Sequence, residues 1–317
     1  MEFYGINASL IDQYITFKRS LGYALSNTYT FKMFDEFTIE QEVTTIGLTK
    51  ELAKKWEEKR PNESDVNRYR RVNTIINFAV FLNQLGYQSY IPRQSKKYQS
   101  TFSPHIFSKE ELKSFFTACD SFEVKRGSSM RYILPIIFRL IYGCGLRVSE
   151  AVNLKDDDVN LNEGFIIIRG TKNGSDRVLP LSKSLIAICT QYKNKYLSVR
   201  NPSVYYFSQN NGRPYSTNTI YKTFRKILWK AGISHGGKGK GPRVHDLRHS
   251  FSVHSLAEMS RKGLDLYYSL PILSVFLGHS SLEATDKYVR LTSEMYPELI
   301  QNVNNICSYI FPEVKMP

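Results

Sequence analysis

The sequence predicts a mainly α protein with a small β-hairpin sheet (α+β), in two domains. Apolar residues recur at three- and four-residue spacing through the first hundred positions, which is a helical period. A single pair of β-branched runs, Phe165–Arg169 and Arg177–Leu181, flanks Asn173-Gly174, a dipeptide that turns one strand onto the next. Between these regions, residues 92–104 are polar, basic and bounded by Pro92 and Pro104, as a linker would be. The domains are therefore expected at 1–92 and 108–317, with 93–107 joining them.

Each element has its own local reason. Leu10, Tyr14, Phe17 and Leu21 share one helix face, and Gly22 follows as a stop. Thr49 can cap a short helix carrying Leu52 and Trp56. A longer helix starts near Ser64 or Asp65, turns Tyr69, Val72, Ile76 and Ala79 to one side, and ends before Gly86. Its first turns carry Arg68, Arg70 and Arg71. Ser108-Lys109-Glu110-Glu111 is a capping box that opens the second domain. Ile133–Tyr142 is apolar nearly all round and so predicts a buried helix; with Arg139 inside and so few residues, it cannot span a bilayer. After the hairpin the pattern returns to helix. In the tail, Leu299, Ile300, Val303, Ile306 and Ile310 keep helical spacing, suited either to packing on their own domain or to docking on a neighbouring copy.

Composition bounds the function. Hydrophobic residues make up 42% of 317, enough for folded cores. The net charge of +14 is concentrated after residue 103, and a basic surface calls for a polyanionic partner. Four scattered cysteines, Cys119, Cys144, Cys189 and Cys307, suit neither a zinc ribbon nor a disulfide framework. No basic segment followed by an apolar run opens the chain, so a cytoplasmic, nucleoid-associated protein is expected.

Six polar residues, in order and each in a distinct frame, carry the chemistry. Arg147 stands in Gly145-Leu146-Arg147-Val148-Ser149-Glu150, and Lys172 precedes Asn173-Gly174. His245 and Arg248 stand in His245-Asp246-Leu247-Arg248-His249; His279 follows Leu277-Gly278, and Tyr288 follows Thr285-Asp286-Lys287. A phosphodiester under attack spreads negative charge over its non-bridging oxygens, and planar guanidinium forks clamp such oxygens as a lysine cannot. A phenol is mostly protonated at neutral pH and needs both a base and nearby positive charge to attack. Arg147, Arg248, His245 and Tyr288 supply these parts.

This ordered set resembles the tyrosine recombinase (phage integrase) family from about Ser108 to Leu291. The resemblance implies a helical core-binding DNA domain, a tyrosine recombinase catalytic domain, and a clamp of the two around duplex DNA. Tyr288 would be the nucleophile, Lys172 the general acid, and His279 a donor to a non-bridging oxygen. Glu150 would orient a histidine or an arginine, and His249 would be a structural support. Neither metal nor other cofactor is implied. The partners would be a double-stranded recombination site and, through self-association, a tetramer on two such sites. Arg68, Arg70 and Arg71 would contact DNA from the first domain. From the basic stretch that leads into His245, so would Lys238, Lys240 and Arg243. The segment Arg261–Tyr268 lengthens the interval before Leu277, as in integrases of mobile elements, and no arm-binding domain is expected ahead of the first helices.

Four rival readings bear on the same residues. His245-x-x-x-His249 has the one-turn spacing of zinc-hydrolase helices, yet it leaves Arg147, Lys172 and Tyr288 without a role. A type IB topoisomerase would share the tyrosine chemistry but relax a single duplex. A chromosome-dimer-resolving recombinase would differ in its target. A DNA-binding protein with a decayed site would not keep all six positions filled.

Overall fold

A computed structural model describes residues 2–23, 28–93, 103–170, 176–200, 202–237, 241–279 and 281–296. The chain divides into two compact units, Met1–Phe102 and Ser103–Pro317. The mainly helical fold with one small sheet is the one expected.

Four helices build the first unit: α1 (Ala8–Ser20), α2 (Thr28–Glu40), α3 (Lys50–Glu57) and α4 (Asp65–Gln84). Thr49 and Ser64 start α3 and α4, their side chains accepting from the backbone N–H groups of Leu52 and Asn67. The core is aromatic: Tyr14, Phe31, Phe34, Trp56 and Phe78 meet mostly edge to face. Two expectations shift. Helix α1 stops at Ser20, so Leu21 lies beyond it and exposed, while Phe17 is half exposed and stacks on Phe81. Helix α2 has no counterpart in the sequence expectation.

Arg71 requires a correction. It is 4% exposed, so it cannot face DNA as expected. Its guanidinium pairs with Glu63 at 2.7 Å, donates to the carbonyls of Trp56 and Glu58, and lies over the Trp56 ring. Helical period explains this: Arg71 precedes Val72 on the face turned toward α3, whereas Arg68 and Arg70 remain exposed.

The second unit opens with the predicted capping box, in which Ser108 and Glu111 satisfy each other's backbone N–H at 3.1 and 2.8 Å. Helix α5 (Lys109–Asp120) leads to the buried α6 (Met130–Gly143) and the short α7 (Val148–Val152). An antiparallel sheet follows, β1 (Val159–Asn160), β2 (Phe165–Ile168) and β3 (Arg177–Pro180), in that spatial order. Ile166, Ile168 and Leu179 point into the core, and the last pair before the hairpin loop is Ile168 with Arg177. Helices α8 (Lys183–Tyr192), α9 (Thr217–Lys230), α10 (Val244–Arg261), α11 (Leu266–Leu277) and α12 (Glu283–Met295) complete the unit. Helix α10 packs against α6, α11 and α12, so its inward face lies at the centre of the domain. Lys172, Lys238, Lys240, Ser280 and the tail from residue 297 lie outside the described residues. No described helix is long and apolar enough to cross a membrane.

Candidate active site

The site begins at Gly145. Its φ of +58° is a left-handed conformation that L side chains rarely adopt, and a Cβ there would lie 2.7 Å from the Phe251 ring. Only glycine fits on both counts. The turn it makes sends Leu146 into the core and leaves Arg147 at the N-terminus of α7. Glu150, one turn on, folds back: one carboxylate oxygen accepts from the Arg147 backbone N–H at 2.8 Å and the other from its guanidinium at 2.7 Å.

Helix α10 contributes His245, Arg248 and His249, which share one face at spacings of three and four. Arg248 is 1% exposed. Its two terminal nitrogens donate to the carbonyls of Gly145 (2.6 Å) and Leu277 (2.7 Å), and one lies 3.8 Å from Glu150. The glycine turn and the end of α11 are therefore tied together through this guanidinium, which burial and the Arg147 charge hold at a pKa of about 10. Glu150 serves a second arginine, Arg177 of β3, whose fork spans both of its oxygens at 3.1 and 2.8 Å. Burial alone would raise the Glu150 carboxyl. Hydrogen bonds from Arg177 and Arg147 outweigh it and hold the group below the usual carboxylate range.

Tyr288 lies on α12 with its ring in the small apolar cluster of Val253, Leu256, Leu270, Leu273, Leu277 and Leu291. Its hydroxyl is 2.8 Å from Nδ1 of His249, and the His245 ring stacks edge-on against His249 at 4.6 Å. His279 lies nearly parallel to the Tyr288 ring, and its Nδ1 is 2.8 Å from the Thr285 hydroxyl. Burial raises the phenol pKa more than the nearby Arg248 and Arg147 charges lower it, so this tyrosine is protonated at neutral pH. The two guanidinium groups favour the phenolate as expected, but in this buried state desolvation outweighs them. Burial and surrounding cations also depress the imidazoles, His245 and His279 to about 4 and His249 to about 2. His245 keeps an exposed edge even so. All three rings are neutral near pH 7 and, in this buried state, bind a proton less readily than a free imidazole.

The arrangement brings Arg147, His245, Arg248, His249, His279 and Tyr288 into one connected cluster with Glu150 at its base. Two details differ from the sequence expectation. His249, rather than His245, touches the tyrosine hydroxyl. Arg177 joins the site although the sequence marked it only as the start of a strand; its signal was an arginine placed directly across the hairpin from Ile168.

Beside Arg147 opens a cleft of about 480 Å³ lined by Ser149, Asn153, Lys155, Arg169 and Tyr205 among others. Within the basic stretch, Lys222, Arg225, Lys226 and the 88% exposed Trp229 share one outward face of α9, and Arg243 is exposed.

Comparison with known proteins follows the same lines. Residues 105–295 match the family model described as the phage integrase family. A Sinorhizobium fredii protein named as an integrase/recombinase is 27% identical over 305 residues, covering 92% of this chain and 95% of that one. Tyrosine recombinase XerA of Pyrococcus furiosus is 35% identical over 172 residues, 53% of this chain and 54% of the relative, so the match spans about half of its length. Among solved structures, the Tn1549 transposon integrase in complex with transposon right end DNA superposes with a TM-score of 0.60. It is 17% identical and covers 90% of this chain and 98% of that one. XerH recombinase bound to palindromic difH substrate gives 0.58 at 21% identity, covering 81% and 71%. At such identities these two likenesses show the fold alone.

Proposed function

The chain belongs to the phage integrase family, and from that membership we propose that it is a site-specific tyrosine recombinase. In this reading it cuts and rejoins duplex DNA through a 3′-phosphotyrosyl bond to Tyr288. One observation carries the reading: Arg147 and Arg248 converge on Glu150 while Arg248, His249 and His279 surround the Tyr288 phenol.

The chemistry divides among the side chains. Arg147, a quarter exposed, offers its remaining N–H groups to the non-bridging oxygens, and Arg248 adds its charge from beneath. Once α12 has moved and the burial that depresses it is relieved, neutral His249 takes the phenol proton as the tyrosine oxygen attacks phosphorus. The new P–O bond forms as the bond to the 5′ oxygen breaks. That oxygen leaves with a proton, for which Lys172 on the hairpin is the donor in this reading. A 5′-hydroxyl from a second duplex can then attack the phosphotyrosine and expel Tyr288. Because the phenol is 1% exposed, α12 must shift before an in-line attack is possible.

Residues 1–92 are assigned as the core-binding DNA domain, with the exposed Arg68 and Arg70 facing the duplex. Arg243, with Lys238 and Lys240, is assigned to phosphate contacts beside the site. Four copies would act on two sites, in the cytoplasm. Integration of a mobile element is favoured over chromosome-dimer resolution by the lengthened Arg261–Tyr268 segment.

The test uses a nicked suicide duplex carrying the recombination site, obtained by selecting binders from a random-sequence pool. Wild type should form an adduct stable to boiling in detergent, and Tyr288→Phe should form none. Equal adducts from both would move the nucleophile elsewhere. Supercoil relaxation with no recombinant product would favour a topoisomerase.

A further inference from the structure

Arg177 has no part in the chemistry above, yet it is among the most constrained side chains around the site. It is 8% exposed, and three of its N–H groups have partners. Two form the fork on Glu150, and Nε donates to the Phe276 carbonyl at 3.0 Å. The guanidinium also lies close against Gly278, where a Cβ would come within 3.0 Å of one of its nitrogens. The left-handed φ of +65° at Gly278 and its missing side chain make room for that contact.

These contacts join three things the reaction needs. Glu150 is the group that fixes Arg147. The backbone from Phe276 to Gly278 carries the carbonyl that Arg248 uses at Leu277 and leads directly into His279. Arg177 also closes the paired part of the hairpin, opposite Ile168, where Asp176 accepts from the Gly170 N–H and lies near Arg169. We propose that Arg177 is a positioning residue for strand cleavage: its fork on Glu150 and its bond to Phe276 hold Arg147, Arg248 and the root of the Lys172 hairpin in one register. The role rests on the recombinase reading. Being buried, Arg177 does not itself contact DNA, and a lysine could keep the charge but not the three-point fork.

The test is single-turnover cleavage of the suicide duplex at saturating protein, comparing wild type, Arg177→Lys, Arg177→Gln and Glu150→Gln, with duplex affinity and melting temperature measured alongside. The rate constant should fall about 100-fold in Arg177→Lys and Arg177→Gln, as for a catalytic group displaced by about an ångström. Duplex affinity should stay near wild type. The double variant Arg177→Gln/Glu150→Gln should be no slower than the worse single variant, since both act through one carboxylate. A normal rate constant with a reduced adduct amplitude and a lower melting temperature would overturn the proposal, because that is the signature of a residue that only holds the fold. Full rescue by Arg177→Lys would also overturn it. If wild type forms no adduct at all, the recombinase reading fails, a result distinct from either.

Discussion

The hydroxyl of Tyr288 and Nδ1 of His249 stand 2.8 Å apart inside the protein, the phenol 1% exposed and the imidazole 5%. In the recombinase reading, the attacking group is therefore stored against the imidazole that would take its proton. On the same reading, replacing His249 with alanine removes the proton acceptor and leaves the buried hydroxyl one partner fewer, with Ser252 and Arg248 remaining. Adduct formation is expected to slow by about 10²-fold or more, with a stability loss of about 1–3 kcal/mol. Rate and melting measured on the same preparation check both.

Tyr288 also fills the seam between α10, α11 and α12. Tyr288→Phe keeps the ring and should melt close to wild type while forming no adduct. Tyr288→Ala leaves a cavity and should cost about 3–5 kcal/mol by denaturant titration. Equal stability of the two variants would show that the ring is not packed as described.

Protonation opposes the folded state here. His245, His249 and His279 have pKa values depressed from 6.5 to about 4, 2 and 4, chiefly by burial. The unfolded chain takes up protons below pH 6.5 that the folded chain refuses. Their stabilising contribution is thus complete above pH 6.5 and is lost as the pH falls through 4 for His245 and His279, and on toward 2 for His249. Melting temperature should drop across that window, and His249→Asn should flatten the drop. A profile unchanged by that substitution would contradict the depression.

Gly145→Ala tests the turn that carries Arg147. A methyl group meets Phe251 at 2.7 Å in a left-handed conformation, so a loss of more than about 1 kcal/mol is expected. Cleavage should fall as well, because the Gly145 carbonyl accepts from Arg248.

In the first unit, Arg71 and its neighbours should separate cleanly. Arg71→Ala strips a buried ion pair and should destabilise by about 3–5 kcal/mol. Arg68→Ala and Arg70→Ala should leave melting nearly unchanged and reduce the salt dependence of duplex binding by about one phosphate contact each.

What the sequence made legible follows from how local each signal is. The capping box at Ser108, the caps at Thr49 and Ser64 and the pairing of β2 with β3 depend on neighbours within a few residues, and they could be read directly. Helix α2 was harder to read: its inward residues Phe31, Phe34, Asp35 and Thr38 keep helical spacing, but two of the four are polar, so the apolar signal covers only half of that face. The frames around Arg147, Arg248 and Tyr288 marked the cluster's members. Which histidine meets the phenol, and that Arg177 shares Glu150, depend on contacts 39 and 27 residues apart in the chain. Arg71 misled for the same reason: its partner Glu63 lies eight residues back, ahead of the helix start.

The sharing of Glu150 among Arg147, Arg177 and, at 3.8 Å, Arg248 has an electrostatic consequence. With the histidines neutral, one carboxylate and three guanidinium ions sum to two positive charges, and Lys287 adds a third beside them. In the recombinase reading a bound phosphodiester brings a single negative charge to this pocket. The five-coordinate phosphorus formed on attack carries two, so its attraction to the fixed cations grows as the bond forms, while the phenol proton stays on a neighbouring histidine. A pocket wired this way favours the fleeting species over the resting one, which is what accelerates a step rather than merely tightening a grip.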